Sequence, residues 1–338
     1  MRVLPRVHPT FDAVLVVSFG GPAGPADIRP FLANVLRGRR VAPERIEQVA
    51  LHYELFGGVS PITAITQRQA EGLQQRLAQV GHPLPVFVGM RNWHPLLADT
   101  LRAMHDAGVR RAVGFIMAAQ HSYSSCQQYR ENVAAARAEL LGTTGADVEM
   151  TFVDSWFAHS GFVAANAAHV TAARATLPAE LAGGARLIFT AHSIPAAMAG
   201  RSQYREQLAE SARLVAEASG MADYALAYQS RSGRPDDPWL GPDVCDYLRD
   251  ARRAGLEAAV LCPIGFVCDH VEVLYDLDHE AAAVSREIGL AMARAETVND
   301  DPAFLDMMGD LVLRTLRRHE RSRPLPLAPA EPPVRPGP

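Results

Sequence analysis

The stretch "ARLIFTAHSIP", residues 185 to 195, begins as a continuous apolar run and ends in a polar turn closed by Pro195. A run without polar alternation marks a strand covered on both faces, as in parallel sheets packed between helices. An earlier counterpart, "AVLVVSFGGP" at residues 13 to 22, repeats the pattern of strand, small or polar turn, then helix. Further runs stand at 85 to 90, 111 to 118, 148 to 153, 225 to 230 and 258 to 267, separated by amphipathic stretches such as "SPITAITQRQAEGLQQRLAQV" and "SQYREQLAESARLVAEASG". The series therefore runs twice. It predicts an α/β fold of two similar, Rossmann-like domains with parallel sheets and a cleft between them, over residues 11 to 165 and 166 to 300. "DPAFLDMMGDLVLRTLRRHE" reads as a closing helix, 301 to 319, that packs back on the domains, with Asp301 and Pro302 at its start and a basic last turn. The proline-dense tail, 320 to 338, reads as a flexible extension.

A chain of 338 residues exceeds the size at which a single core usually stops growing, which agrees with two domains. With 48% hydrophobic and 21% charged residues the composition is that of an ordinary globular protein, and a net charge of -4 argues against nucleic acid or an anionic membrane as the main partner. No apolar run approaches the roughly 20 residues of a membrane span. The start, "MRVLPRVHPTFDAVLVV", has too short and strand-like an apolar part for a signal peptide. A cytoplasmic location is expected, and a monomer. Cys126, Cys245, Cys262 and Cys268 form no C-x-x-C pair, so they read as reduced thiols rather than a zinc knuckle or disulfide framework.

Ligands of open α/β sheets sit beyond the carboxyl ends of the strands, which selects Ser18 to Pro22, Gln120 to Ser125, Thr190 to Pro195 and Gly265 to Glu272. "SFGGPAGPADI" is not a phosphate loop: the G-x-G-x-x-G spacing fails, Pro22 and Pro25 remove N–H donors, and no G-K-[ST] follows. Gly20 and Gly21 suit the close approach of a flat ligand. His192 follows one strand and Glu272 another of the same domain, so both project into one cleft, where they could bind a divalent metal, move protons, or do both. The ligands are too few for a permanent structural metal, so a metal would pass through. Glu272, Asp276 and Glu280 fall at i, i+4 and i+8 of one helix face without Lys or Arg at i±3 or i±4, so either water screens the row or a cation meets it. His270, Asp278 and His279 point elsewhere and read as surface or supporting residues.

"TAHSIP", "YQSRSGRPDDPWLGPDV", "GFVCDHVEVLYDLDHE", "HYELFGGVSPI" and "SFGGP", in this spacing over about residues 12 to 318, resemble the ferrochelatase family, which inserts Fe(II) into a porphyrin in heme synthesis. The resemblance implies the two-domain chelatase fold. It also implies that His192 and Glu272 are paired catalytic and metal-site residues, with Asp276 and Glu280 continuing outward as a metal or proton path on a helix with a π-type stretch. Phe19, Tyr53, Ile62, Tyr123 and Trp239 lie in motifs resembling the porphyrin pocket, while Arg37, His52 and Ser60 could meet its carboxylates. Ferrous iron and the porphyrin are then substrates, and two protons leave.

"AAQHSYSSCQQYREN" and "SFGGPAGPADIRPFLANVLRGR" resemble the actinobacterial branch, many of whose members use coproporphyrin III. That substrate is favoured, with protoporphyrin IX next. Members of that branch commonly hold a [2Fe-2S] cluster through a cysteine at the position of Cys126 and three near the C-terminus. This chain has no cysteine after Cys268, so no such cluster and no permanent cofactor are expected. Phe19 stands where some coproporphyrin enzymes place a tyrosine able to ligate product iron. Two alternatives remain open: a chelatase for another divalent metal and tetrapyrrole, which would need histidine-rich sites in place of the acid row, and a non-catalytic two-lobed protein that binds heme or a metal.

Overall fold

The computed structural model describes residues 11 to 38, 41 to 232 and 237 to 321, so the proline-rich tail and the first ten residues lie outside the described part. Strands β1 (Ala13–Ser18), β2 (Val86–Met90), β3 (Arg111–Ile116) and β4 (Glu149–Phe152) form a parallel sheet in the order β2-β1-β3-β4. Strands β5 (Arg186–His192), β6 (Tyr224–Gln229), β7 (Ala258–Cys262) and β8 (Ala291–Arg294) form a second one, β6-β5-β7-β8, with the same winding. In each sheet the first strand lies between the second and third, so winding reverses there and leaves a crevice beyond its carboxyl end.

The expected α/β architecture is thus present, with two differences in the strands. β8 is absent from the apolar-run reading, because "AMAR" is short, alanine-rich and an edge strand, paired only with β7. The run at 258 to 267 stops being strand at Cys262, since Pro263 lacks an N–H and the chain turns, with Ile264 N–H donating to Cys262 O at 2.8 Å.

The interior strands are buried on both faces. Val14 and Val16 of β1 join the largest apolar cluster, while Ala13, Leu15 and Val17 point to a separate one on the other side. In the second sheet Leu187, Phe189, Val260 and Cys262 enter that same largest cluster, so one face of each sheet shares a continuous core. The helix Pro302–Arg321 closes this core and is capped by Asp301, whose Oδ1 accepts from Ala303 N–H at 2.8 Å. It packs on the helix Ile62–Gln79 of the first half and the helix Ser160–Arg174, which leads into the second. Each contributes a glycine at the contact: a Cβ on Gly72 would lie 2.5 Å from Leu305 Cδ1, and one on Gly161 2.7 Å from Met307 Cβ. Phe304 reaches between Trp156 and Phe162, at ring-centroid distances of 5.8 and 6.5 Å. Arg68–Asp300 and Arg76–Asp306, both exposed, add about 1 kcal/mol each at most. Among the described residues no helix is long and apolar enough to cross a membrane.

Candidate active site

His192 is the last residue of β5, at the reversal point of the second sheet. Its Nδ1 lies against the Ser193 carbonyl, which suits an N–H there and leaves Nε2 free to accept a proton or a metal. The Tyr204 hydroxyl donates to His192 O at 2.9 Å and fixes the turn. The loop after β7 reaches His192 because Gly265 passes so close to β5 that a Cβ would lie 2.5 Å from Ala191 Cβ; Gly265 N–H donates to Thr190 O at 3.1 Å. Glu272 follows, in the first turn of the helix Val271–Val273. Its Oε2 lies 3.9 Å from His192 Nε2 and 3.5 Å from His270 Nε2.

His270 departs from the surface reading. Its side chain is only 15% exposed, its ring packs on Phe266, and its Nδ1 is buried without a hydrogen-bond partner among the described residues. Asp278 instead pairs with Arg294 at 2.7 Å, and His279 stacks on Tyr275 at 5.3 Å.

From Leu274 to Ala281 the helix widens to i→i+5 bonding, then returns to α over Ala282–Glu287. Leu277 and Ala281 stay buried while Asp276 turns toward the end of β6. There Gln229 Nε2 donates to Asp276 Oδ2 at 3.2 Å and to Glu272 O at 3.4 Å, and the Ser230 hydroxyl donates to Asp276. Ser230 holds a left-handed φ of 60°, a costly backbone for a serine, and thereby aims its hydroxyl. Gln229 and Ser230 were not among the sequence candidates, although the strand-end rule, applied to β6, selects both.

The two adjacent carboxyls are driven in opposite directions. Burial pushes Glu272 up, but the His270 hydrogen bond and the charges of His192, His270 and His52 outweigh it and hold Glu272 at about 2. Burial also pushes Asp276 up, and with the charges of Glu272 and Glu280 it prevails over the Ser230 and Gln229 hydrogen bonds, bringing Asp276 to about 7. Glu272 is therefore a permanent anion at neutral pH, whereas Asp276 is poised to take or release a proton.

The first half faces this site with aromatic surface. Phe31 meets Phe19, Tyr53 and Trp93 edge-on at 6.2, 5.5 and 6.4 Å, and Val271, next to Glu272, joins the same cluster. Ile62 and Cys268 pack together with Phe19 at their edge. His52 lies flat on Tyr275 at 3.6 Å, which joins the halves directly. Burial, then the Glu272 charge, push the Tyr53 hydroxyl far up, so it stays neutral. Ser60 is buried, and a Cβ on Gly21 would lie 2.6 Å from Ser60 Cβ. The close approach at that glycine is thus to the chain itself. Gly20, at φ +82°, supplies the left-handed turn that any side chain would strain.

Three candidates make none of these contacts. Arg37 is exposed and donates to Asn34 Oδ1 at 2.6 Å. Tyr123 is 49% exposed, with its hydroxyl 3.3 Å from Glu131 Oε2. Trp239 pairs with Pro195 through the backbone beside the His192 turn, and its indole N–H is buried without a hydrogen-bond partner among the described residues. Phe31, Trp93 and Arg91, whose guanidinium lies 6.0 Å from both the Phe19 and Tyr129 rings, were not singled out in the sequence.

The cysteines do not fit a shared cluster. Cys126 packs with the first sheet, Cys245 with the second, Cys262 lies in the common core, and Cys268 packs with Ile62. Four thiolates cannot converge on one group from these places.

Comparison with known proteins agrees with this architecture. A family model described as Ferrochelatase matches residues 11–316. The chain is 46% identical over 326 residues, 94% of its length and 95% of the relative's, to the coproporphyrin III ferrochelatase of Mycolicibacterium smegmatis. It is 48% identical over 311 residues, 91% of its length and 87% of the relative's, to a ferrochelatase of Rhodopirellula baltica. The solved structure of SirB from Bacillus subtilis with Fe3+ shares the fold at a TM-score of 0.56 and 10% identity, covering 92% of this chain and 97% of that one. On the family match, which spans nearly all of the described residues, the chain belongs to the ferrochelatase family, enzymes that insert a metal into a porphyrin.

Proposed function

We propose that this chain inserts Fe(II) into coproporphyrin III, with His192 and Glu272 at the ring centre and Asp276 and Glu280 leading outward. The observation that carries the reading is the imidazole and carboxylate 3.9 Å apart at the strand ends, facing a wall of aromatic side chains from the other half. Metallation requires two pyrrole protons to leave as a dication arrives. His192 accepts a pyrrole proton at Nε2, and Glu272, ionised at any physiological pH, stabilises the resulting imidazolium or meets the incoming iron. Glu272 binds protons too weakly to carry them away. Asp276, at about 7 and one turn further out, takes that role, with Glu280 continuing the path.

Phe19, Tyr53 and Ile62 contribute apolar ring-binding surface and His52 forms part of the rim, while Ser60 is buried beside Gly21. The tetracarboxylate is favoured by the name of the mycobacterial relative and by Arg45, a cation close enough to perturb His52, with Arg37 a further exposed cation of the first half. The test is anaerobic insertion by the purified protein with Fe(II) and either coproporphyrin III or protoporphyrin IX, followed by loss of porphyrin fluorescence. A kcat/KM at least about tenfold higher for coproporphyrin III is expected. Equal or reversed preference rejects that substrate, and no insertion into either rejects the catalytic reading.

A further inference from the structure

A cavity of about 270 Å³ lies away from the proposed metal site, at the carboxyl edge of the first sheet between the ends of β3 and β4. Its wall brings together His121, Cys126, Arg130, Trp156, Gln203 and Gln207. His121 Nδ1 sits directly on Cys126 Sγ. The turn that holds them is fixed by hydroxyls: Ser122 and Ser125 cap one another, and Ser125 Oγ donates to Gln120 O at 3.0 Å. On the far side His121 N–H donates to Gln207 Oε1 at 2.7 Å, which ties the turn to the helix Tyr204–Ser219.

The cavity's charge is lopsided. Asp154 on its wall is paired with Arg318 at 2.5 Å, while the Arg130 guanidinium is held over the Phe152 ring at 4.4 Å by a cation–π contact. The first turn of the sixteen-residue helix Tyr204–Ser219 lies along the same wall with Gln203 and Gln207, and because Glu206 in that turn offsets its backbone N–H groups, Arg130 is, among the described residues, the unmatched cation of the lining. An anionic group is the complement.

We propose that Cys126 is a site of reversible mixed-disulfide formation with a small carboxylate-bearing thiol, His121 acting as the base and Arg130 holding the carboxylate. The thiol enters as its own disulfide, which is the oxidant. His121 Nδ1 takes the Cys126 proton, the thiolate attacks one sulfur of the small disulfide, a Cys126 S–S bond forms and the old S–S bond breaks. The departing thiolate recovers the proton from His121, so one disulfide and one thiol yield one disulfide and one thiol.

The other cysteines lack this arrangement. Cys262 and Cys268 are fully enclosed, and Cys245 is pushed up to about 12 by burial and by Asp243 and Glu280. Burial raises Cys126 as well, while Arg130 opposes it, so Cys126 rests as a thiol and its reaction depends on the imidazole in contact with it.

The reduced full-length protein, incubated with dithiodipropionate or with neutral bis(hydroxyethyl) disulfide, is followed by intact mass and peptide mapping. The expected result is one adduct, on Cys126, reversed by dithiothreitol and formed about tenfold faster from the dicarboxylate. His121→Ala should slow it about a hundredfold with the melting temperature unchanged. Arg130→Gln should abolish the preference for the dicarboxylate, and Cys126→Ser should remove the adduct while leaving metal insertion unaltered. Should His121→Ala unfold the turn, His121→Gln provides the same comparison. Comparable labelling of Cys245, no labelling of Cys126, or a rate indifferent to position 121 overturns the proposal.

Discussion

The two halves wind their strands in the same order, yet their corresponding ends carry different chemistry. Three residues before the proline that closes each first-strand turn, Pro22 and Pro195, the first half places Phe19 and the second His192. After the third strand each half has a π-type segment. In the first half this is the hydroxyl-rich Tyr123–Gln127, and in the second it is Leu274–Ala281, which carries Asp276 and Glu280. The winding therefore decides where a site can form, and the side chains at a few shared offsets decide what it does. Division of labour also lowers an energetic conflict. Carboxylates on both walls would repel across a partly dry gap, whereas an aromatic wall demands no counter-charge and binds a flat ring through area.

The sharpest way to break this comparison is to remove charge from the second half alone. Glu272→Gln should lower kcat by about 10³-fold or more while porphyrin affinity stays within about tenfold, because the apolar wall is untouched. A parallel loss of affinity would show that the halves share the binding. Asp276→Asn should cost about 10²-fold in kcat and remove the limb of the pH–rate profile near 7, in contrast to Glu272, whose titration lies near 2. Retention of that limb would assign it to another group. Phe19→Leu, on the first-half wall, should raise the porphyrin KM about fivefold and leave kcat within about threefold, roughly 1 kcal/mol of lost contact.

Stability offers a contrast of opposite sign. Asp276 has a folded value above its unfolded one, so the folded state binds the extra proton and wild-type stability falls as pH rises from about 4 to 7. Asp276→Asn should therefore raise stability near pH 8, by at most about 4 kcal/mol for three pK units and read as a higher melting temperature, with little gain near pH 4. A loss at both would mean that the Ser230 and Gln229 hydrogen bonds dominate.

Much of this was legible in the residues. Valine and isoleucine runs announce strands buried on both faces, and the His192 and Glu272 positions follow from the strand-end rule. β8 escaped because four alanine-rich edge residues carry almost no pattern. His270 reads only as surface or supporting, because a histidine before a helix says nothing of the carboxylate toward which the chain will turn it. Ser230 was missed for a similar reason: its left-handed backbone, and hence its bond to Asp276, is imposed by the fold after β6. The downward shift of Glu272 depends on three imidazoles from separate segments meeting at it, which no local window contains.

The last helix, pressed against Gly72 and Gly161, bears on how the molecule comes into being. Ribosomes deliver chains from the amino end, so the first sheet emerges long before Phe304 and Leu305 exist to cover its helix Ile62–Gln79. Until the final turns are synthesised, Leu73, Leu77 and Trp156 must wait with one side of the common core open to water or to a chaperone. A truncation that stops before residue 301 would leave both sheets and every proposed ring contact in the chain, yet strand them in a nascent state without the part that completes their shared interior.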